Sequence, residues 1–99
     1  MVPRLVLAVL LFALAMPWAE AASPTPPPGA SSCSGCHAAS KSVDTPVPRL
    51  VGRSAAEIEA AMLAFRTGQK PASVMDRIAK GFSDDEIKAI ATWYGAQKD

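Results

Sequence analysis

The 99-residue sequence predicts a small all-α domain, and three observations support this prediction. Two stretches carry apolar side chains at helical spacing, and each starts with a serine that can cap a helix. No stretch alternates apolar and polar residues in the way that a half-buried strand does. The two cysteines and the single histidine of the chain fall within five residues. We therefore expect the helices to be arranged around that one segment.

Residues 1–21 have the pattern of a secretory signal peptide. Arg4 supplies a positive charge, an unbroken apolar run covers residues 5–16, and Ala19 and Ala21 fit the small-x-small cleavage pattern. The apolar run is shorter than the roughly 20 residues that span a bilayer. We predict cleavage and export with no membrane span afterwards, and an uncleaved anchor is the second interpretation.

Prolines dominate residues 22–31. Clustered prolines favour an extended conformation without internal hydrogen bonds, so we predict a linker at 22–31 followed by one domain at 32–99. A domain of this size has a marginal hydrophobic core of its own. Lys and Arg total 10 and Asp and Glu total 9, so there is no basic excess that would indicate a nucleic-acid partner.

The segment Cys33-Ser34-Gly35-Cys36-His37 carries the chemistry of the chain. Residues three apart lie on the same side of a helical turn, so Cys33 and Cys36 would present two sulfur atoms to one flat object. Cys-x-x-Cys-His is the attachment pattern of a c-type haem. In that interpretation the thiols form covalent thioethers, and His37 is the proximal iron ligand.

Two other interpretations of this segment were weighed. A dithiol redox pair also uses Cys-x-x-Cys, but no strand rich in β-branched or aromatic residues precedes Cys33. A structural zinc site needs four protein ligands, usually Cys and His. This chain offers only three such side chains, so zinc would need carboxylates or a second chain.

Residues 41–48 contain two prolines and no helical period, which predicts a loop. A ligating histidine nearly always donates its second ring N–H to a carbonyl or a carboxylate. The carbonyl of Pro48, in a stiff loop, is a candidate acceptor. An ordinary turn at the same position is an equal alternative.

Residues 54–67 form the clearest amphipathic helix. Ser54 and Glu57 match a capping box at its start, and Gly68 can take the left-handed conformation that ends a helix. The apolar side chains recur at helical spacing on one face; they are Ile58, Ala61, Met62 and Phe65.

Two more helices are predicted towards the C-terminus. A short one covers 73–80, with Ser73 as its cap and Met75 near its start. A longer one covers 83–96 and begins with the capping box of Ser83 and Glu86. Its buried stripe is expected to be Ile87, Ile90, Ala91 and Tyr94, with Trp93 at the edge.

A haem held by one histidine leaves a second axial position, and methionine is its other common ligand in electron-carrying c cytochromes. Met62 lies in the apolar stripe of its helix, where core packing is the expected role. Met75 follows a proline-containing loop, which can aim its side chain inwards. We favour Met75, and an open position for a ligand-binding or peroxidatic haem is the third option.

Four segments carry a resemblance to a known family: 33–37, Pro-Arg-Leu-Val-Gly at 48–52, Phe-Arg-Thr-Gly at 65–68, and 74–87. Together they resemble the class I cytochrome c family, and within it the monohaem cytochrome subunit of flavocytochrome c sulfide dehydrogenases. The resemblance implies a small cytochrome c fold whose helices pack around one covalently attached haem c. It also implies Met75 as the distal ligand and Pro48 as the support of His37.

The resemblance implies an electron-transfer protein rather than an enzyme. It implies a periplasmic cytochrome that takes single electrons from a sulfide-oxidising flavoprotein subunit. The alternative is a free periplasmic carrier between a membrane complex and a terminal oxidase or reductase.

Overall fold

The computed structural model describes residues 25–98. The predicted signal peptide and the first part of the linker lie outside these residues. Four helices follow in order: α1 at Ala30–Cys33, α2 at Ala55–Thr67, α3 at Met75–Ala79 and α4 at Asp84–Ala96. Residues 25–98 contain no strand, which confirms the all-α prediction for this part of the chain. None of the helices described is long and apolar enough to cross a membrane.

Local signals set both ends of α2. The Ser54 hydroxyl accepts a hydrogen bond of 3.1 Å from the backbone N–H of Glu57, which satisfies one of the unpaired donors of the first turn. Gly68 ends the helix with φ at 81°, in the left-handed region. Ile58 and Met62 are buried on the face that the sequence predicted.

The C-terminal helix α4 begins with a complete capping box. Ser83 accepts from the Glu86 N–H, and the Glu86 carboxylate accepts from the Ser83 N–H at 2.9 Å. These bonds from Ser83 hold the pKa of the Glu86 carboxyl below its usual value. The predicted stripe is confirmed, because its four residues are all buried and Trp93 is partly covered; they are Ile87, Ile90, Ala91 and Tyr94.

The short helix α3 starts later than predicted. Ser73 is not its cap, because Val74 has φ −141° and ψ −29° and lies outside the helical region. The first backbone bonds run from Arg77 and Ile78 to the Val74 carbonyl, at 3.0 and 3.1 Å. Met75 is therefore the first helical residue, next to an irregular backbone as expected.

Packing begins before residue 32, where the domain was predicted to start. Ala30, inside the predicted linker, is completely buried, and its N–H donates to the Pro27 carbonyl at 3.1 Å. Gly29 has φ 86°, and a Cβ there would lie 2.6 Å from the ring of Phe82. Helix α1 therefore packs closely against the segment that leads into α4.

A second link joins the end of α2 to the start of α4. The Arg66 guanidinium donates to the Phe82 carbonyl at 3.3 Å and forms an ion pair with Asp84. Asp84 is largely exposed, so solvent screens the pair and its contribution is below about 1 kcal/mol.

The hydrophobic core is thin. In the part of the chain described, eight residues are buried, and three of them are alanines: Ala30, Ile58, Met62, Ala79, Ile87, Ile90, Ala91 and Tyr94. Larger apolar side chains pack against this cluster but stay partly exposed: Cys33, Leu50, Val51, Leu63, Phe65, Met75, Phe82 and Trp93. The chain therefore covers only one side of many of its large apolar residues.

The closest approach of α4 to α2 yields a stability prediction. A Cβ on Gly95 would lie 2.7 Å from the backbone nitrogen of Ala55. Overpacking typically costs about 1–3 kcal/mol, whereas the gain in helix propensity returns at most about 1 kcal/mol. Gly95→Ala should therefore lower the free energy of unfolding of the holoprotein by about 1 kcal/mol in a denaturant titration.

Thr92→Ala is the matched control, because Thr92 is exposed on the same helix. It should leave stability unchanged or slightly raised. A Gly95→Ala variant as stable as Thr92→Ala would contradict the close contact.

Candidate haem site

The Cys-x-x-Cys-His segment forms a helical turn at the end of α1. Ser34 keeps helical dihedral angles, with φ −64° and ψ −16°. The Cys33 carbonyl accepts from the backbone N–H of Cys36 at 3.2 Å and of His37 at 2.9 Å. The sequence predicted a helical turn over the motif itself. The structure instead starts the helix at Ala30 and continues it as a turn, which still places both thiols on one side.

Tyr94 holds this turn from the far end of the chain. Its hydroxyl donates to the Ala30 carbonyl at 2.5 Å. Because that proton is used, the Ser34 hydroxyl is the donor in the second bond, of 2.9 Å, to the Tyr94 oxygen. Burial raises the pKa of Tyr94 above its ordinary value. The sequence predicted Tyr94 as a core residue but gave no sign of this polar role.

The two thiols differ in exposure. Cys33 is partly buried and packs against the core. Its Sγ lies 3.7 Å from the carbonyl oxygen of Gly29. Burial raises the pKa of the Cys33 thiol. Cys36 is exposed, and neither cysteine is in a disulfide. Cys33 is therefore the more covered of the two cysteines.

His37 makes a specific contact with the loop that follows it. Its Nδ1 donates to the carbonyl oxygen of Pro48 at 2.5 Å. This bond places the proton on Nδ1 and leaves the Nε2 lone pair for a metal ion. Between residues 25 and 98, no group of three or more His, Cys, Asp or Glu side chains converges, as a zinc site would require.

The two methionines of the described chain occupy different environments. Met62 is 8% exposed and lies inside the core cluster on α2. Met75 is partly buried and packs against the edge of that cluster as the first residue of α3. A side chain at an irregular helix start, with part of its surface uncovered, is better placed to reach a bound group.

The residues present fit a haem. Two thiols on one turn, an imidazole with a fixed tautomer and a nearby thioether form the donor set that a c-type haem uses. The partly covered apolar side chains need a large apolar body to complete their burial. Two buried polar atoms, Asp76 Oδ1 and Trp93 Nε1, have no hydrogen-bond partner in the described chain. Asp76 follows Met75, and Trp93 is itself one of the partly covered residues.

Comparison with known proteins decides the family, although no family model matches the chain. It is 36% identical over 70 residues to cytochrome c-554(548) of Halomonas halodenitrificans, and the match covers 67% of this chain and 84% of that protein. It is 32% identical over 69 residues to cytochrome c-553 of Desulfomicrobium norvegicum, covering 67% of this chain and 86% of the relative. The chain belongs to the class I cytochrome c family. The resemblance in the sequence is thereby confirmed, and the cofactor of this cytochrome c is one covalent haem c.

A further relative is a subunit of a larger enzyme. The cytochrome is 38% identical over 64 residues to the cytochrome subunit of sulfide dehydrogenase of Chlorobaculum tepidum. The match covers 65% of this chain and 58% of that subunit. The cytochrome thus spans less than two thirds of this relative's length.

We propose His37 and Met75 as the axial iron ligands. Met75→Ala in the holoprotein should abolish the sulfur-to-iron charge-transfer band and lower the reduction potential, because a thioether ligand raises that potential. Met62→Leu should keep both properties, since volume-conserving core substitutions usually cost less than about 1.5 kcal/mol. Loss of the band in Met62→Leu alone would reverse the assignment.

Folding should depend on haem attachment. A domain of this size loses on the order of 100 kcal/mol of conformational entropy on folding, and the thin core offsets little of it. Cys33→Ala with Cys36→Ala should give a largely unfolded, protease-sensitive chain.

Ser40→Ala with Ser42→Ala, a pair of exposed positions, is the control and should fold normally. A cooperative thermal transition in the haem-free cysteine variant would disprove this dependence.

Proposed function

We propose that this cytochrome is the electron-accepting subunit of a sulfide-oxidising complex. In this role it takes single electrons from a flavoprotein and catalyses no reaction itself. The observation that carries the proposal is its 38% identity to a protein named as the cytochrome subunit of sulfide dehydrogenase. The resemblance to this subgroup rests on four segments, at 33–37, 48–52, 65–68 and 74–87.

Each residue of the site has a role in this function. Cys33 and Cys36 attach the haem covalently, so that it cannot dissociate when the iron changes charge. His37, through Nε2, and Met75 would hold the iron, while the Pro48 carbonyl holds the imidazole ring of His37 through its bond to Nδ1. When bound, haem c supplies an iron that alternates between the ferrous and ferric states, which is one-electron chemistry.

The proposed site of action is the periplasm. Residues 1–21 have the pattern of a cleavable signal, and the residues between it and α1 would then form the N-terminal linker of the mature protein. Attached haem and export are both consistent with a partner outside the cytoplasm.

The proposed docking face comprises the edge of the motif at Cys33 and Cys36 and the start of α3. Val74 and Ile78 are 51% and 40% exposed. They lie four residues apart at the start of α3, where the Ile78 N–H donates to the Val74 carbonyl at 3.1 Å, and Val74 directly precedes Met75. Exposed large apolar residues of this kind are typical of protein interfaces.

Charge supports a stable interface over a diffusing encounter. Arg66 is engaged by Asp84 and the Phe82 carbonyl. The Lys70 ammonium lies 5.2 Å from the centre of the Phe65 ring, which it covers. Two basic side chains from the segment between α2 and α3 and the end of α2 therefore have intramolecular partners. A carrier steered by charge would need a strong patch of one sign, whereas a stable subunit interface usually buries at least about 1,200 Å² of total accessible surface.

A free periplasmic electron carrier is the second candidate. The cytochrome spans 84% of cytochrome c-554(548) and 86% of cytochrome c-553. It spans only 58% of the sulfide dehydrogenase subunit. By coverage of the relative, the small cytochromes match better, and their names mention no larger complex.

Purification and reduction assays separate the two candidates. The native cytochrome should co-purify at moderate salt with a stoichiometric flavoprotein, and sulfide should reduce its haem only when that flavoprotein is present. A monomeric cytochrome that the sulfide-oxidising flavoprotein neither binds nor reduces would support the free carrier.

The docking face is tested with a matched pair of variants. Val74→Gln with Ile78→Gln should weaken binding to the flavoprotein by about tenfold or more, because truncating buried apolar contacts at an interface costs at least about 1.4 kcal/mol. Val43→Gln, at a position 50% exposed in the 38–47 loop, should bind normally. An equal loss of flavoprotein binding in the double variant and in Val43→Gln would place the interface elsewhere.

A further inference from the structure

The loop of residues 38–47 has few bonds of its own. The Ser42 N–H donates to the Ser40 hydroxyl at 3.2 Å, and the Val47 N–H donates to the Thr45 hydroxyl at 3.2 Å. These bonds join neighbours two residues apart. Within the described residues, no backbone–backbone hydrogen bond connects the beginning of the loop to its end. Its two ends are therefore held together by side chains.

Two side-chain links close the loop in opposite directions. His37 Nδ1, on the first side, donates to the Pro48 carbonyl at 2.5 Å. Arg49, on the second side, donates to the Ala39 carbonyl through Nε at 2.9 Å and through Nη2 at 2.6 Å. We call residues 37–39 and 48–49 the loop neck. Each side of the neck donates to the other, and the two links are one to two residues apart along the chain.

The backbone of Arg49 is held in turn by Arg53. The Arg53 Nε donates to the Arg49 carbonyl at 3.0 Å, and the Arg53 N–H donates to the Leu50 carbonyl at 3.1 Å. Arg49 thus binds Ala39 with its side chain while its own carbonyl is fixed. The peptide that presents the Pro48 carbonyl lies directly between these fixed points.

The chemistry of arginine suits this task. Its guanidinium is planar and permanently charged, so Nε and Nη2 can converge on one carbonyl with charge-assisted bonds at any accessible pH. Lysine offers a point charge without the fixed fork. By contrast, the imidazole link from His37 to the Pro48 carbonyl is a single hydrogen bond.

We propose that Arg49 is a positioning residue for His37: by binding the Ala39 carbonyl it closes the loop neck and keeps the Pro48 carbonyl on His37 Nδ1. This inference rests on the proposed role of His37 as the proximal ligand. The hydrogen bond on the second ring nitrogen fixes the tautomer and the orientation of a ligating histidine and raises its basicity. Arg49 therefore influences the iron ligand without contacting it.

The test uses the holoprotein in its reduced state, with Arg49→Ala and Arg49→Lys as variants. Hydrogen exchange of the His37 Nδ1–H, followed by nuclear magnetic resonance, reports directly on the bond to Pro48. Exchange should be about tenfold faster or more in Arg49→Ala, the factor expected when a charge-assisted bond that keeps a site closed is lost. Arg49→Lys should lie between Arg49→Ala and the unchanged protein.

The reduction potential provides a second readout. Arg49→Lys keeps the positive charge, so a higher potential in this variant reports a less basic histidine rather than a lost charge. Arg77→Ala removes an exposed arginine on α3 and is the matched control. It should leave the exchange of the His37 ring proton unchanged.

Unchanged exchange in both Arg49 variants would overturn the proposal, as would a His37 ring proton that is unprotected in the unchanged protein. Equal acceleration in Arg77→Ala would also overturn it, because the effect would then be general. If Arg49→Ala does not mature, Arg49→Lys alone decides the question. No partner protein is present, so failure here leaves the sulfide-oxidising role untouched, and failure of that role leaves this result standing.

Discussion

The position of the haem motif depends on one buried hydroxyl group. Helix α1 has only four residues, and a helix this short is not stable without tertiary contacts. Tyr94 supplies them by binding the Ala30 carbonyl and the Ser34 hydroxyl. These partners lie 64 and 60 residues before it in the sequence. Tyr94 is itself held because α4 is capped at its start and buried along one stripe. The geometry of the two thiols is thus set by the last helix.

Shortage of apolar volume is the second constraint, and it ties the cofactor to the fold. Three of the eight residues buried between positions 25 and 98 are alanines, which bring helices close together but bury little area. The large side chains, among them Leu50, Phe65 and Trp93, lie at the edge of the core with part of their surface uncovered. A covalently attached macrocycle would cover this surface. Haem binding and folding therefore use the same apolar surface, and a change that affects one also affects the other.

The sequence patterns correctly predicted those features that interactions between residues close together in the chain determine. Both ends of α2 and the start of α4 follow from Ser54, Gly68 and Ser83, whose effects reach only a few residues, and the haem motif follows from spacing alone. The predicted start of α3 was wrong because the start depends on the dihedral angles of Val74. No capping pattern in the sequence indicates these angles. The partners of Tyr94 and Arg49 were also unforeseen. Both side chains bind backbone carbonyls of distant residues, and any residue type offers a carbonyl, so composition and periodicity carry no signal for such contacts.

The loop neck has a consequence for how this cytochrome can change in evolution. Its closing bonds lie at residues 37–39 and 48–49, so the residues between them are released from holding the ends together. Doubling the length of a closed loop costs only about 0.6 kcal/mol. Insertions and new binding motifs between Ser40 and Thr45 should therefore be tolerated, because the neck isolates the iron ligand from them. The loop is a place where the protein can acquire new specificity while its redox centre stays the same.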